Sequence, residues 1–306
     1  MDSTLQPIIL GTRGSGLALA QTNQMLDVLR RTHPEARFDF TIIKTAGDQA
    51  TRPAALPEGG VKGLFTREIE AALIGRRADI AVHSLKDLPT ELPAGLILAA
   101  TPKRADPRDI LISRGPKFAE LPQGAVVATS SLRRKGQLLA MRPDLKVVEI
   151  RGNVETRLRK LQENADWHAI VLAAAGIARL NLSLAAWGMV GHPFASEEMM
   201  PAPCQAILGL EARANDERVL SLLRSVNHLE TFQVATAERA FSHVLEGGCR
   251  TPVAAYAEVI EGKLRLRGAV FFEDGRVRFR GELAGDTKDA ELVGKTLAEK
   301  AKTVLI

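Results

Sequence analysis

Three groups of residues in this chain have the type and spacing to do chemistry. The segment DIAVHSLKDLP (79–89) sets His83, Lys86 and Asp87 at the end of the apolar run Ile80, Ala81 and Val82, just before Pro89. Titratable groups at the mouth of a buried strand form either a structural ion pair or a reactive set, and the spacing leaves both readings open. In the reactive reading Asp87 assists proton transfer and stabilises a positive centre, as the negative group in a positive cleft. The segment LEGGCRTP (245–252) supplies a thiol. Cys249 follows two glycines, between a predicted helix and a predicted strand, where a side chain projects from a loop, and neighbouring Arg250 favours its thiolate. Cys204, in PAPCQA, reads instead as a small buried hydrophobe.

The third group is cationic. Three times a predicted strand runs into a short polar segment that opens a helix: GTRGSG (11–16), TSSLRR (129–134) and IRGN (150–153). The first N–H groups of a helix lack partners within it and its dipole is positive there, so each joint suits an anion. Arg13, Arg133, Arg134 and Arg151 sit at the joints, and Arg157 lies farther along the last helix. Guanidinium groups there would clamp a carboxylate or phosphate. Between 130 and 160, six Arg and three Lys face Asp144, Glu149 and Glu155, a net of +6, whereas the whole chain carries +5. One stretch holds all the excess, as expected for a local anionic ligand. The plain alternatives are that Ser and Thr at helix starts are N-caps and that basic helices are solvated faces. Nucleic acid has little support, because aromatics make up 4% of the chain and none lies between 130 and 160. Neither a Walker pattern nor G-x-G-x-x-G is present.

The elements that must hold these groups alternate. PIILGT, FDFTIIKT, ADIAVHS, GAVVATS, LKVVEI and HAIVLAA read as strands, separated by helices from Leu17, Leu64, Leu132 and Val154. The alternation predicts parallel sheets covered on both faces, in two sets divided near TPKRADPRD (101–109). AGDQATRPAALPEGGVKG reads as a long exposed loop. Toward the C-terminus, a helix stopped by Gly247 and Gly248 precedes three alternating strands joined by EGK and EDG, an antiparallel meander, and a helix from about Asp289. The fold class expected is therefore α/β for two domains plus a small C-terminal α+β domain. The 306 residues, 45% hydrophobic and 25% charged, supply enough apolar material for two or three cores. Two cysteines and six histidines without ligand-like spacing argue against a metal. The run AIVLAAAGIA is shorter than the roughly 18 residues of a membrane span, and the N-terminus lacks secretory features, so a soluble cytoplasmic protein is expected.

TRGSGLALAQ, KGLFTREIE, AVHSLKDLP, TSSLRR, IRGNVETRL, LAAAGIARL and EGGCRTP occur in the order and at the spacing of one family. From about Ile8 to the end of the meander, the chain resembles the porphobilinogen deaminases, also called hydroxymethylbilane synthases. The resemblance implies two domains similar to periplasmic solute-binding proteins around a cleft, and a third carrying the cysteine. Their bounds would be 1–103 with 200–224, 107–198 and 227–306. It implies a monomeric transferase of tetrapyrrole (haem-type) biosynthesis that joins four porphobilinogens head to tail into hydroxymethylbilane, releasing ammonia, with no nucleic-acid or membrane partner. Its cofactor would be a covalent dipyrromethane in thioether linkage to Cys249. By motif position, Arg13, Ser15, Lys86, Thr129, Ser131, Arg133, Arg134, Arg151, Arg157 and Arg179 would bind the acetate and propionate groups of the pyrroles. Asp87 would interact with pyrrole N–H groups, assist ammonia loss and stabilise a cationic azafulvene. Phe65 would stack on an incoming ring, with Lys62 and Gln205 as further contacts and the loop from Gly47 to Gly63 as a lid. One motif departs: where the family reads P-A-x-G-Q-G, this chain has PAPCQA, so Cys204 and Ala206 would be strained wherever the backbone needs positive φ. A solute-binding protein, which needs neither Asp87 nor a thioether, is the rival of another class.

Overall fold

The computed structural model describes residues 6–45, 66–246 and 252–305. In chain order the first elements are β1 (Ile8–Thr12), α1 (Gly16–Thr32), β2 (Phe38–Ile42), α2 (Arg67–Ile74), β3 (Ile80–Ser84) and β4 (Leu96–Ala100). Then come β5 (Asp109–Ser113), β6 (Val126–Ala128), α3 (Leu132–Met141), β7 (Lys146–Val148), α4 (Val154–Glu163), β8 (Ala169–Ala173), α5 (Ala174–Arg179) and β9 (Val190–Pro193). The chain ends with β10 (Leu208–Arg213), α6 (Glu217–Val226), α7 (Leu229–Glu246), β11 (Val253–Ile260), β12 (Lys263–Phe271), β13 (Val277–Asp286) and α8 (Ala290–Leu305). Two compact units result: 1–104 with 207–232, and 105–206 with 233–306.

In the first unit the sheet order is β2-β1-β3-β10-β4. Ile8, Leu10, Ile80, Val82, Leu208 and Leu210 point to one face, where Met25, Leu26 and Leu29 of α1 and Val219 and Leu223 of α6 cover them. On the other face Ile69, Ala72 and Leu73 of α2 pack with Ile43, Ala78 and Ala81. Each Val, Leu, Ile or Met side chain among them contributes roughly 1.5–3 kcal/mol when removed from water. Burial on both faces is why the strands read as unbroken apolar runs.

The second unit repeats the plan with the order β7-β6-β8-β5-β9. Ile110 and Ile112 lie in the cluster with Leu158 and Leu161 of α4, while Leu111 between them packs with Leu138 of α3, the period of two that a strand imposes. Neither five-stranded sheet is wholly parallel, which corrects the expectation from alternation. β10 is antiparallel to both β3 and β4, and β5 to both β8 and β9. The reason is connectivity: in each sheet the strand that breaks the parallel rule comes from outside the local strand–helix series and enters in the opposite sense.

The meander β11-β12-β13 is antiparallel throughout. Glu261 and Gly262 join its first two strands with φ of 50° and 76°, the pair of positive values that a tight two-residue hairpin needs. Gly268 of β12 lies where a Cβ would strike the Phe241 ring, so α7 packs closely on the meander. The Gly247–Gly248 stop predicted for α7 falls outside the described residues.

Candidate active site

β3 is buried through His83 and runs into a 3-10 turn, Leu85–Asp87, which stops before Pro89. The turn buries Leu85 and leaves Lys86 half-buried and Asp87 exposed. Among the described residues, Asp87 has no hydrogen-bond or ion-pair partner. The structural pair with Lys86 that the sequence left open is therefore not formed. A pocket here is lined by Arg13, Ser15, Gln21, His83, Ser84 and Asp87, with other residues, so the first joint and the end of β3 converge. They converge because β1 and β3 are parallel neighbours whose carboxyl ends lie on one edge.

The helix starts are N-caps, as the plain alternative held. Ser15 Oγ accepts from the Ala18 N–H at 3.3 Å, Ser131 Oγ from the Arg134 N–H at 3.4 Å, and Asn153 Oδ1 from the Thr156 N–H at 2.8 Å. A capping serine uses a lone pair and keeps its O–H proton for a ligand. Thr129 is buried, and its Oγ1 accepts from the Ser131 N–H at 3.2 Å.

The arginines divide into two classes. Arg133 and Arg134 are buried against Asp109, itself fully buried, at 2.7 Å each. Arg133 also donates to the Met200 carbonyl and Arg134 to that of Val171. Burial pushes the Asp109 carboxyl up, but Arg133, Arg134 and the Gln205 amide outweigh it and hold it below the usual carboxylate range. Arg151 is exposed and pairs with Glu149 at 2.7 Å, and Arg142 pairs with Asp144 at 2.7 Å. Arg142 and Arg151 thus face acids already counted in the net of +6, and Asp109 sets one further negative charge against that excess.

Arg157 and Arg179 differ. Both are half-buried, and among the described residues neither has an acidic partner. Arg157 Nε donates to the Gly152 carbonyl and Arg179 Nη2 to the Ala206 carbonyl, each at 2.7 Å. The buried Nε of Arg179 has no acceptor among the described residues. Burial pushes the Arg179 guanidinium down to about 10, and burial with nearby Arg134 pushes Arg157 down as well. A half-buried cation without a counter-charge is what a carboxylated ligand would complete.

No motif in the sequence assigns a role to Asp109, which lies in the break between two sets of elements. The signal was present, since ILIS directly after it is a buried strand. Gln205 donates to the Pro107 carbonyl at 2.8 Å and to Asp109 Oδ1 at 2.9 Å. Cys204 and Ala206 on either side have φ of 61° and 70°, so this backbone keeps the left-handed conformation that glycine favours. The Cys204 N–H is held by Glu238 Oε2 at 2.5 Å, and Glu238 Oε1 accepts from the Ala257 N–H at 2.7 Å. Cys249, Arg250, Phe65, Lys62 and the loop from Gly47 to Gly63 lie outside the described residues. Among the described residues no group of three or more His, Cys, Asp or Glu is placed to hold a metal.

An α/β protein with uncompensated arginines and an exposed aspartate at its strand ends has the equipment of an enzyme acting on carboxylated molecules. Residues 8–221 match the porphobilinogen deaminase, dipyromethane cofactor binding domain, and residues 232–303 match the porphobilinogen deaminase C-terminal domain. The porphobilinogen deaminase of Thermus thermophilus is 45% identical over 96% of this chain and 95% of its own length. That of Paracoccus denitrificans is 46% identical over 99% and 96%. Among solved structures, the periplasmic aliphatic sulphonate binding protein SsuA from Escherichia coli aligns over 78% of this chain and 71% of its own, at 13% identity and a TM-score of 0.42. The chain belongs to the porphobilinogen deaminase family. It is a transferase of tetrapyrrole biosynthesis that polymerises porphobilinogen into hydroxymethylbilane with a dipyrromethane cofactor.

Proposed function

We propose that Asp87 is the catalytic carboxylate of this reaction and that Cys249 carries the cofactor as a thioether. The observation that carries the first assignment is an exposed carboxylate, unpaired among the described residues, in one pocket with Arg13 and Ser15. A carboxylate in that state is available to pyrrole N–H groups and to the positive centre left when the amine departs. Bound dipyrromethane supplies the free pyrrole carbon to which the first unit is joined. The residues present fit such a group, because Arg157 and Arg179 lack, among the described residues, the acids that a polycarboxylate would provide. Arg13, Ser15, Lys86, Thr129 and Ser131 would serve the carboxylates of pyrroles at the strand ends, with Phe65, Lys62 and Gln205 contributing contacts. Arg133 and Arg134, already shared with Asp109, would act by shaping that surface. Arg151 would exchange Glu149 for ligand. Four porphobilinogens would be added, each with loss of ammonia, by a protein of three domains in which 227–306 holds the cofactor. We read it as a cytoplasmic monomer without a nucleic-acid partner. No described helix is long and apolar enough to cross a membrane.

The test is the intact mass of the denatured, freshly purified protein, followed by peptide mapping. A dipyrromethane-sized increment on the peptide containing Cys249 is expected, and an unmodified Cys249 in active enzyme defeats the attachment assignment.

A further inference from the structure

The pocket that contains Asp87 and Arg13 has a further ionisable group in its wall, one that the chemistry above does not use. His83 Nε2 lies 2.9 Å from Glu211 Oε2, with 5% of the His83 side chain and none of the Glu211 side chain exposed. The sheet makes this pair. In the β3–β10 register Gly209 stands opposite His83, and Glu211, two residues on, projects from the same face. Glu70 of α2 is also buried, and burial pushes its carboxyl up, as does the charge of Glu211, against the pull of Thr66, His83 and Arg67. Both Glu70 Oε1 and Glu211 Oε1 are buried without a hydrogen-bond partner among the described residues.

Two carboxylates and one imidazole buried within reach of each other's charge are costly to keep as bare structure. An apolar triplet of similar size would pack β3, β10 and α2 with no such cost. The charged groups facing the imidazole are Glu211 from β10, Glu70 from α2, and Arg13 and Asp87 across the pocket. This buried pair lines a pocket that already contains Arg13 and must tolerate a cationic centre during deamination.

We propose that His83 is a positioning residue which, held by Glu211 with Glu70 close by, fixes the electrostatic setting of the pocket wall in which Asp87 works. The inference rests on the assignment of Asp87 as the catalytic carboxylate. No step consumes an oxidant or a co-reactant. The amine leaves with the electron pair of its C–N bond, the new C–C bond forms at a pyrrole carbon, and the proton of that carbon is released. The pair only governs the electrostatic setting of those events.

The test is kcat and KM against pH for the cofactor-loaded His83→Gln enzyme, beside the parent and Asp87→Ala. Glutamine keeps an N–H donor for Glu211 and removes the imidazole. The pH profile of kcat is expected to shift, with kcat lowered by about threefold or more and KM within about twofold. A profile superimposable on that of the parent overturns the proposal. If His83→Gln fails to fold, Glu211→Gln, whose amide oxygen still accepts from the imidazole, must show the altered profile, and an unaltered one overturns the proposal equally. Near-normal turnover by Asp87→Ala would instead defeat the catalytic assignment. Loss of turnover in Asp87→Ala with an unchanged His83→Gln profile defeats this inference alone.

Discussion

Asp109→Asn is the substitution whose effect follows most directly from the geometry. The carboxylate is fully buried and accepts from Arg134 Nε at 3.1 Å, from Arg134 Nη2 at 2.7 Å and from Gln205 Nε2 at 2.9 Å, with Arg133 Nη2 at 2.7 Å from its other oxygen. Asparagine keeps one carbonyl oxygen but turns an N–H donor toward one of these donors, and it leaves two buried guanidinium groups without an anion. Breaking a buried ion pair by removing one partner costs about 3–5 kcal/mol, and that loss is expected here. The sign with pH follows from the direction of the shift. A carboxyl depressed in the folded state contributes stability above its unfolded pKa of about 3.9, and that contribution is lost as pH falls through the folded value. The parent should therefore lose stability more steeply than Asp109→Asn below about pH 4. Both tryptophans, Trp167 and Trp187, pack against a core cluster of the second unit, so urea unfolding followed by their fluorescence reports on the unit that contains Asp109. A loss under about 1 kcal/mol at pH 7, or identical acid limbs, would refute the assignment of Asp109 as the anion that holds both arginines.

Arg179→Gln keeps an amide donor for the Ala206 carbonyl and removes the uncompensated charge. Because a charge-assisted hydrogen bond contributes about 1.5–3 kcal/mol, kcat/KM for porphobilinogen should fall roughly 10- to 150-fold without loss of thermal stability. A change within about twofold excludes a ligand-binding role. Ala206→Gly restores the residue type that a φ of 70° favours. The left-handed conformation costs alanine about 1–2 kcal/mol, and glycine gives back about 0.5–1 through its freer unfolded chain, so a gain of up to about 1 kcal/mol is expected in thermal unfolding. A loss of that size would mean that the Ala206 methyl packs to more effect than its backbone strains.

Much of the architecture is legible in the residues because local rules and burial agree. The runs from Ile8, Val126 and Ala169 are apolar because both faces of their sheets are covered. Ser15, Ser131 and Asn153 cap helices because a side-chain oxygen there satisfies an otherwise orphaned N–H. Less legible was β5. Asp109 opens it, and a charged residue after two prolines reads as a linker until the partners that pay for its burial are known. β10 was hidden from periodicity as a member of the first sheet, and only the family resemblance joined 200–224 to that domain, since its antiparallel place beside β3 depends on a return of the chain from more than a hundred residues away.

The sequence by itself determined the alternation of strands and helices, the meander, the position of the exposed aspartate after β3 and the motif order that marks the family. Each of these is a matter of spacing along the chain, which period, capping and turn chemistry control locally. Tertiary structure alone decided which charges are spent and which are available. It buried Asp109 between Arg133 and Arg134, left Arg157 and Arg179 without acids among the described residues, and set Glu211 against His83. Charge compensation is a property of distance in space, and the groups that neutralise one another here lie on different strands and helices, where no linear pattern brings them together.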